Sequence, residues 1–114
     1  MFGTRKISDV DVQEVAGVGE GGAVLVDVRE DDEWEAGHAP DAVHVPLGEV
    51  GEAAGRFAGR RVMVVCRSGN RSAKAAKALA EAGVEVTNVA GGMSSWAAAG
   101  LPVVRPDGSP GAVA

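Results

Sequence analysis

Two runs in this chain are apolar without alternation: Ala23-Val24-Leu25-Val26-Asp27-Val28 and Arg61-Val62-Met63-Val64-Val65-Cys66. A strand with one wet face alternates apolar and polar side chains. A β-branched run that does not alternate needs both faces covered, the condition of a parallel strand between two layers of helices. Helical patterns surround these runs. Ile7 to Val18 carries Val12, Val15 and Ala16 at helical spacing, with Asp11 and Glu14 spaced as a capping box and Gly17, Gly19, Gly21 and Gly22 to end it. Asp31 to Ala36 reads as a short helical turn closed by Gly37, and Ala42 to Val45 as a short strand stopped by Pro46. Gly48 to Phe57 is a weak helix. Ser72 to Ala82 is the strongest, with Ser72 at its N-cap, Ala73, Ala76, Leu79 and Ala80 on one face and Gly83 as its stop. Val84 to Val89 is another strand, and Met93 to Ala99 a helix between Gly92 and Gly100. From Arg105 onward, Pro and Gly predict a loose tail. Strands alternating with helices predict an α/β layer fold with a mainly parallel sheet.

At 114 residues the chain has room for one domain, and 46% hydrophobic against 24% charged residues is globular composition. One cysteine excludes an internal disulfide, and two histidines with it cannot build a structural zinc site without carboxylates. No signal peptide and no membrane-length apolar run are read, so the expectation is a soluble cytoplasmic protein, with no membrane or nucleic-acid partner.

A net charge of −5 argues, as a sum, against an anionic substrate. The charge is segregated, however. Asp27 to Glu52 holds nine acids and one base, Arg29, whereas the 28 residues from Ala53 to Ala80 hold seven bases and no acid. The bland reading is two solvated faces that attract each other. The functional one is an anion-attracting site, because the single cysteine, Cys66, lies within the basic stretch.

Cys66 ends the second apolar strand, Arg67-Ser68-Gly69-Asn70-Arg71 follows, and a helix comes next. Ligands of parallel α/β folds bind outside the carboxyl ends of the strands. A tight loop there turns backbone N–H groups inward as an anion nest, and the helix adds its own N–H groups and positive dipole end. Gly69 and Asn70 tolerate the positive φ that such a loop needs. These effects favour thiolate over thiol, so the Cys66 pKa is expected well below about 8.5. The competing reading, a cysteine that only fills the core at a strand end, is disfavoured by this setting. Four residues separate Cys66 from Arg71, one fewer than in the Cys-x5-Arg loop of a cysteine phosphatase. The smaller cradle suits a sulfur atom carried on the cysteine. No histidine adjoins Cys66 as a general base, so the nest itself supplies the activation.

Four segments, in order, resemble the single-domain rhodanese (thiosulfate sulfurtransferase) family. They are Leu25-Val26-Asp27-Val28-Arg29, Glu33-Trp34-Glu35-Ala36-Gly37-His38-Ala39-Pro40-Asp41-Ala42, Val64-Val65-Cys66-Arg67-Ser68-Gly69-Asn70-Arg71-Ser72, and Gly91-Gly92-Met93-Ser94-Ser95-Trp96. Asp41 stands where the family more often has Gly, and Ala39 where it has Ile. The resemblance implies a rhodanese-like α/β domain over residues 5–104, with a central, mainly parallel five-stranded sheet and helices on both faces. Residues 105–114 are then a flexible tail. It implies a Cys66 persulfide formed from thiosulfate or a similar anionic donor and cradled by backbone N–H groups of residues 67 to 71. A cyanide, thiol or protein acceptor takes the outer sulfur. No metal or organic cofactor is expected, and a monomer suffices. Two alternatives remain open: a carrier or protein-binding module with weak turnover, and arsenate reduction on the same loop.

Within this frame Arg67 is expected at the mouth, binding the donor or merely solvated. Arg71 is expected to turn inward to an acid such as Asp27 or Glu35 and brace the loop. Asp27, Arg29 and Ser72 support the site, the first two as a charge pair within the fold. His38 and His44 are expected as hydrogen-bonded loop residues, and Trp34, Trp96 and Met63 as core.

Overall fold

In the computed structural model, which describes residues 7–16 and 23–114, the sheet has five strands, all parallel. They are β1 (Asp9–Val10), β2 (Ala23–Asp27), β3 (Val43–His44), β4 (Arg61–Val65) and β5 (Glu85–Val89). Their spatial order is β1-β5-β4-β2-β3. The two runs without alternation are the central strands β2 and β4, paired from Ala23 with Arg61 to Asp27 with Val65. Both of their faces are covered. Even-numbered side chains Val24, Val26, Val62, Val64 and Cys66 pack with Val50, Phe57, Ala75, Ala76 and Leu79. Odd-numbered Leu25, Met63 and Val65 pack with Val12, Val15, Met93 and Trp96 on the opposite face. The first group of partners belongs to α3 (Val50–Ala53), the 3₁₀ turn at Ala54–Phe57 that continues it, and α4 (Asn70–Glu81). The second belongs to α1 (Val12–Ala16) and α5 (Gly92–Ala98). The remaining helix, α2, is the expected short turn at Asp31–Ala36.

Two elements differ from the sequence reading. The segment read as one helix from Ile7 begins with a short strand, β1, which pairs with β5 through Asp9 to Asn88 and Val10 to Val89. Two residues are too few to show a period of two, so the helical spacing of Val12 and Val15 dominated the pattern. The glycines read as its end lie outside the described residues. Helix α4 begins at Asn70, with Gly69 as its N-cap at φ 109°, so Ser72 is in its first turn and not its cap. Ser72 resembles an N-cap in sequence because its hydroxyl has a local job, described below.

Residues 105–114, expected as a loose tail, return to the body. His38 and Val104 exchange N–H···O bonds of 2.8 and 2.9 Å, Gly111 N–H donates to Val103 O at 2.9 Å, and Ala112 N–H donates to Ala36 O at 3.0 Å. A glycine read as loosening the segment, with the aspartate before it, makes its turn: Gly108 has φ 87°, and Asp107 Oδ1 accepts from the Ser109 N–H at 2.9 Å. Among the described residues, no helix is long and apolar enough to cross a membrane, and no group of three His, Cys, Asp or Glu is placed to hold a metal.

Candidate active site

The order of the strands places β2 and β4 side by side at the middle of the sheet, where one winds outward to β3 and the other to β5. The crevice above their carboxyl ends is the ligand position of such sheets. Cys66 leaves β4 at that point. Its residue is 1% exposed, packed among the valines of the α4 face.

Three devices shape the loop over it. The first is Gly69, whose left-handed conformation points its N–H back at Cys66 Sγ, 3.0 Å away. The second is Ser72, whose Oγ lies 3.3 Å from the same sulfur and 3.2 Å from the Gly69 carbonyl. The third comes from α5. Met93 N–H donates to Cys66 O at 2.7 Å and Ser94 N–H to Arg67 O at 2.9 Å, so the first turn of α5 holds the loop's carbonyls away from the sulfur. Gly92 allows that approach: a Cβ on it would lie 2.7 Å from the carbonyl carbon and oxygen of Arg67 and against Cys66 O. Burial alone pushes the Cys66 thiol up. The Ser72 hydroxyl and the N–H groups of Ser72, Gly69 and Ser68 outweigh it, so the thiol is held below its ordinary value.

A relay of charges ties the loop to the rest of the crevice. Arg71 faces inward, as expected, but its partner is Glu33, and not Asp27 or Glu35. Its two terminal nitrogens donate to the two Glu33 carboxylate oxygens at 2.6 and 2.8 Å, a bidentate clamp between α4 and α2. Arg71 holds the Glu33 carboxyl down to about 2, and its own guanidinium is raised in turn. Asp27 is taken by Arg29, which donates through Nε and Nη2 at 2.8–3.1 Å, and both residues are fully buried. Arg29 Nη2 also reaches Gly37 O at 2.8 Å, past the end of α2. The acidic segment read as a solvated face therefore contributes one of its acids, Glu33, to bracing the basic one, while Asp27 pairs with Arg29 inside its own segment. Arg67, Ser68 and Asn70 are exposed at the crevice.

The histidines make the bonds of loop residues. His38 Nδ1–H donates to Trp34 O at 2.8 Å and His44 Nε2–H to Arg29 O at 2.7 Å. Trp34 is half-buried and not a core residue: the His38 ring stacks on it at 3.4 Å between centroids and the His44 ring at 4.8 Å. Trp96 and Met63 are in the core, with Trp96 Nε1–H on Pro102 O. Sequence reasoning passed over Glu33, Gly92 and Asn88. Asn88, whose Nδ2 lies 3.4 Å from Gly69 O, had one available signal, a polar residue in a buried strand.

Comparison with known proteins agrees with this geometry. Residues 12–99 match the Rhodanese-like domain family. YtwF of Bacillus subtilis, whose name provisionally makes it a sulfurtransferase, is 41% identical over 73 residues, 63% of this chain and 71% of that one. YrkF of the same organism, provisionally named a sulfur carrier protein, is 40% identical over 74 residues; these are 63% of this chain but 40% of that longer protein. Among solved structures, the rhodanese-related protein from Thermoplasma volcanium superposes with a TM-score of 0.78 at 28% identity, covering 85% of this chain and 97% of that one. Family and relatives together support sulfur transfer as the general activity. The chain belongs to the rhodanese-like domain family.

Proposed function

We propose that the chain is a thiosulfate sulfurtransferase that works by double displacement at Cys66. The thiolate attacks the outer sulfur of thiosulfate or a similar anionic donor. A new S–S bond forms, the donor's S–S bond breaks, and its electron pair leaves with sulfite. The persulfide then meets a thiophilic acceptor, a cyanide or a thiol, which takes the outer sulfur and returns the thiolate. Each step exchanges one bond to sulfur for another, so no external reductant or organic cofactor takes part. The second sulfur lies about 2 Å beyond Sγ. That carries the reactive atom from the enclosed position of Cys66 toward Arg67 and Ser68 at the mouth. The inward N–H groups of residues 67 to 71 cradle the persulfide anion, Arg67 draws in the dianionic donor, and Asp27, Arg29, Arg71 and Ser72 keep the loop in shape.

The observation that carries this reading is the convergence of the Gly69 N–H and the Ser72 hydroxyl on one enclosed sulfur, in a loop too short for the phosphatase spacing. The similarity to a sulfur carrier supports a second reading, transfer only within a protein complex. A monomer in the reducing cytoplasm fits both. Intact-protein mass after incubation with thiosulfate is the test. A gain of one sulfur atom, lost again on adding cyanide and absent in Cys66→Ser, supports the first reading. No gain in the native chain overturns it, and a gain without turnover favours the carrier.

A further inference from the structure

The Gly69 carbonyl oxygen has three candidate donors and two lone pairs. Ala73 N–H lies 3.1 Å away, Ser72 Oγ 3.2 Å and Asn88 Nδ2 3.4 Å. Ser72 has one hydroxyl proton, and two acceptors compete for it: this carbonyl and Cys66 Sγ at 3.3 Å. Ala73 is committed, because its bond to Gly69 is the first of α4. The destination of the Ser72 proton is therefore decided by what occupies the second lone pair.

We infer that Asn88 is a positioning residue whose side-chain amide fills the second lone pair of the Gly69 carbonyl and so leaves the single proton of Ser72 for the sulfur of Cys66. Asn88 is on β5, in register with Val64 and thus on the α4 face, one residue before the carboxyl end of β4. Its 3.4 Å approach is long for an N–H···O bond, and its effect is electrostatic: the positive amide hydrogen directed at the oxygen repels a second donor hydrogen there. The orientation of the amide is fixed, since reversing it would set Oδ1 against a carbonyl oxygen. Among the described residues Asn88 Oδ1 has no hydrogen-bond partner, although the residue is only 9% exposed. An unpaired buried oxygen weakens the fold, and an apolar residue of similar size would remove that cost. A core position that retains amide nitrogen at the expense of an orphaned oxygen points to a use for the nitrogen.

This inference deepens the proposed function, since it concerns the same thiolate. Its test reads alkylation and not sulfur transfer, so failure of one is distinguishable from failure of the other. The rate of Cys66 alkylation by iodoacetamide is followed against pH in the native chain, Ser72→Ala, Asn88→Leu and the double variant. Melting curves check that each is folded. Below the midpoint of the native profile, each single variant is expected to react about fivefold more slowly, the worth of one ordinary hydrogen bond. The double variant is expected to be no slower than either single one, because both lose the same proton from the sulfur. A native profile in folded Asn88→Leu, or losses that multiply in the double variant, overturns the inference. Should Asn88→Leu not fold, Asn88→Ala replaces it in the same comparison. Ser72→Ala stands independently of both: unchanged reactivity there means that the proton was never on the sulfur, which also overturns the inference.

Discussion

A buried sulfur is a poor place for a charge unless donors surround it, and Cys66 has donors at hydrogen-bond range from a backbone N–H and a hydroxyl. Cys66→Ser keeps the size of the side chain and removes the nucleophile, so it is expected to abolish persulfide formation while shifting the melting temperature little, checked by mass and by calorimetry. Arg67 differs in kind. Its backbone carbonyl is fixed by Ser94 while its side chain is exposed. Its attraction for a dianion acts through solvent, where such interactions are small and salt-sensitive. Arg67→Ala is expected to raise the Michaelis constant for thiosulfate about two- to fivefold and to flatten its dependence on ionic strength, with turnover unchanged. Unaltered KM and salt dependence would leave Arg67 a solvated charge. The placement of both residues was legible in the sequence because a strand end, a short glycine-containing loop and a helix start constrain the chain locally. The acid that Arg71 meets was not. Glu33 is 38 residues away, and nothing local separates it from its acidic neighbours Asp31, Asp32 and Glu35.

Two elements without reacting groups hold the loop. The start of α5 approaches the backbone of Cys66 and Arg67 so closely that Gly92, at φ 57°, has neither the space nor the conformation for a side chain. Gly92→Ala is expected to cost about 3 kcal/mol in urea unfolding and to slow alkylation of Cys66, because the loop carbonyls lose their donors. The α2–α4 clamp has a signature in pH. The Glu33 carboxyl lies near 2 in the folded chain against an ordinary 4.5. Its contribution is therefore complete above about 4.5 and lost as pH falls toward 2. One third of the Arg71 side chain is exposed, which screens the pair. Glu33→Gln is accordingly expected to cost about 1–2 kcal/mol at pH 7 and progressively less down to pH 2.5, followed by urea titration. A deficit that does not shrink on acidification would assign the clamp's strength to something other than the carboxylate charge. At this scale the sequence reading was strongest where a pattern was long. The buried runs Ala23–Asp27 and Arg61–Val65 emerged as adjacent parallel strands. It was weakest where an element owes its form to a partner, as the two residues of β1 owe theirs to β5.

Across the whole molecule, the order of the charges informs where their sum does not: an acid-rich quarter supplies Glu33, and a basic quarter supplies the loop that it braces through Arg71, while Asp27 pairs with Arg29 within the acidic quarter. The C-terminal segment was the least legible part, because its turn residues suit a loose tail and a docked one equally. We propose that residues 105–114 are a structural strap over the end of α2. Gly37 provides the means to test this. Its φ of 165° is extended backbone open to any residue, so glycine is required there for space alone. A Cβ at that position would stand 2.5 Å from Ala112 O and 2.7 Å from Ala112 N. If the strap is docked in solution, Gly37→Ala forces it off or strains it, and the cost in the full chain is expected at about 2 kcal/mol. In a chain ending at Pro106 the backbone obstruction is gone, and only the Val103 Cγ1, 2.6 Å from the same position, remains to turn aside. There the same substitution is expected to cost less than about 0.5 kcal/mol, although the truncation itself removes about 2 kcal/mol through the lost hydrogen bonds and the packing of Val113. Urea unfolding of the four chains separates the cases. Equal costs for Gly37→Ala in the long and short chains would mean that the segment does not rest on α2, and that Val103, 2.6 Å from the same Cβ, is the neighbour that excludes a side chain.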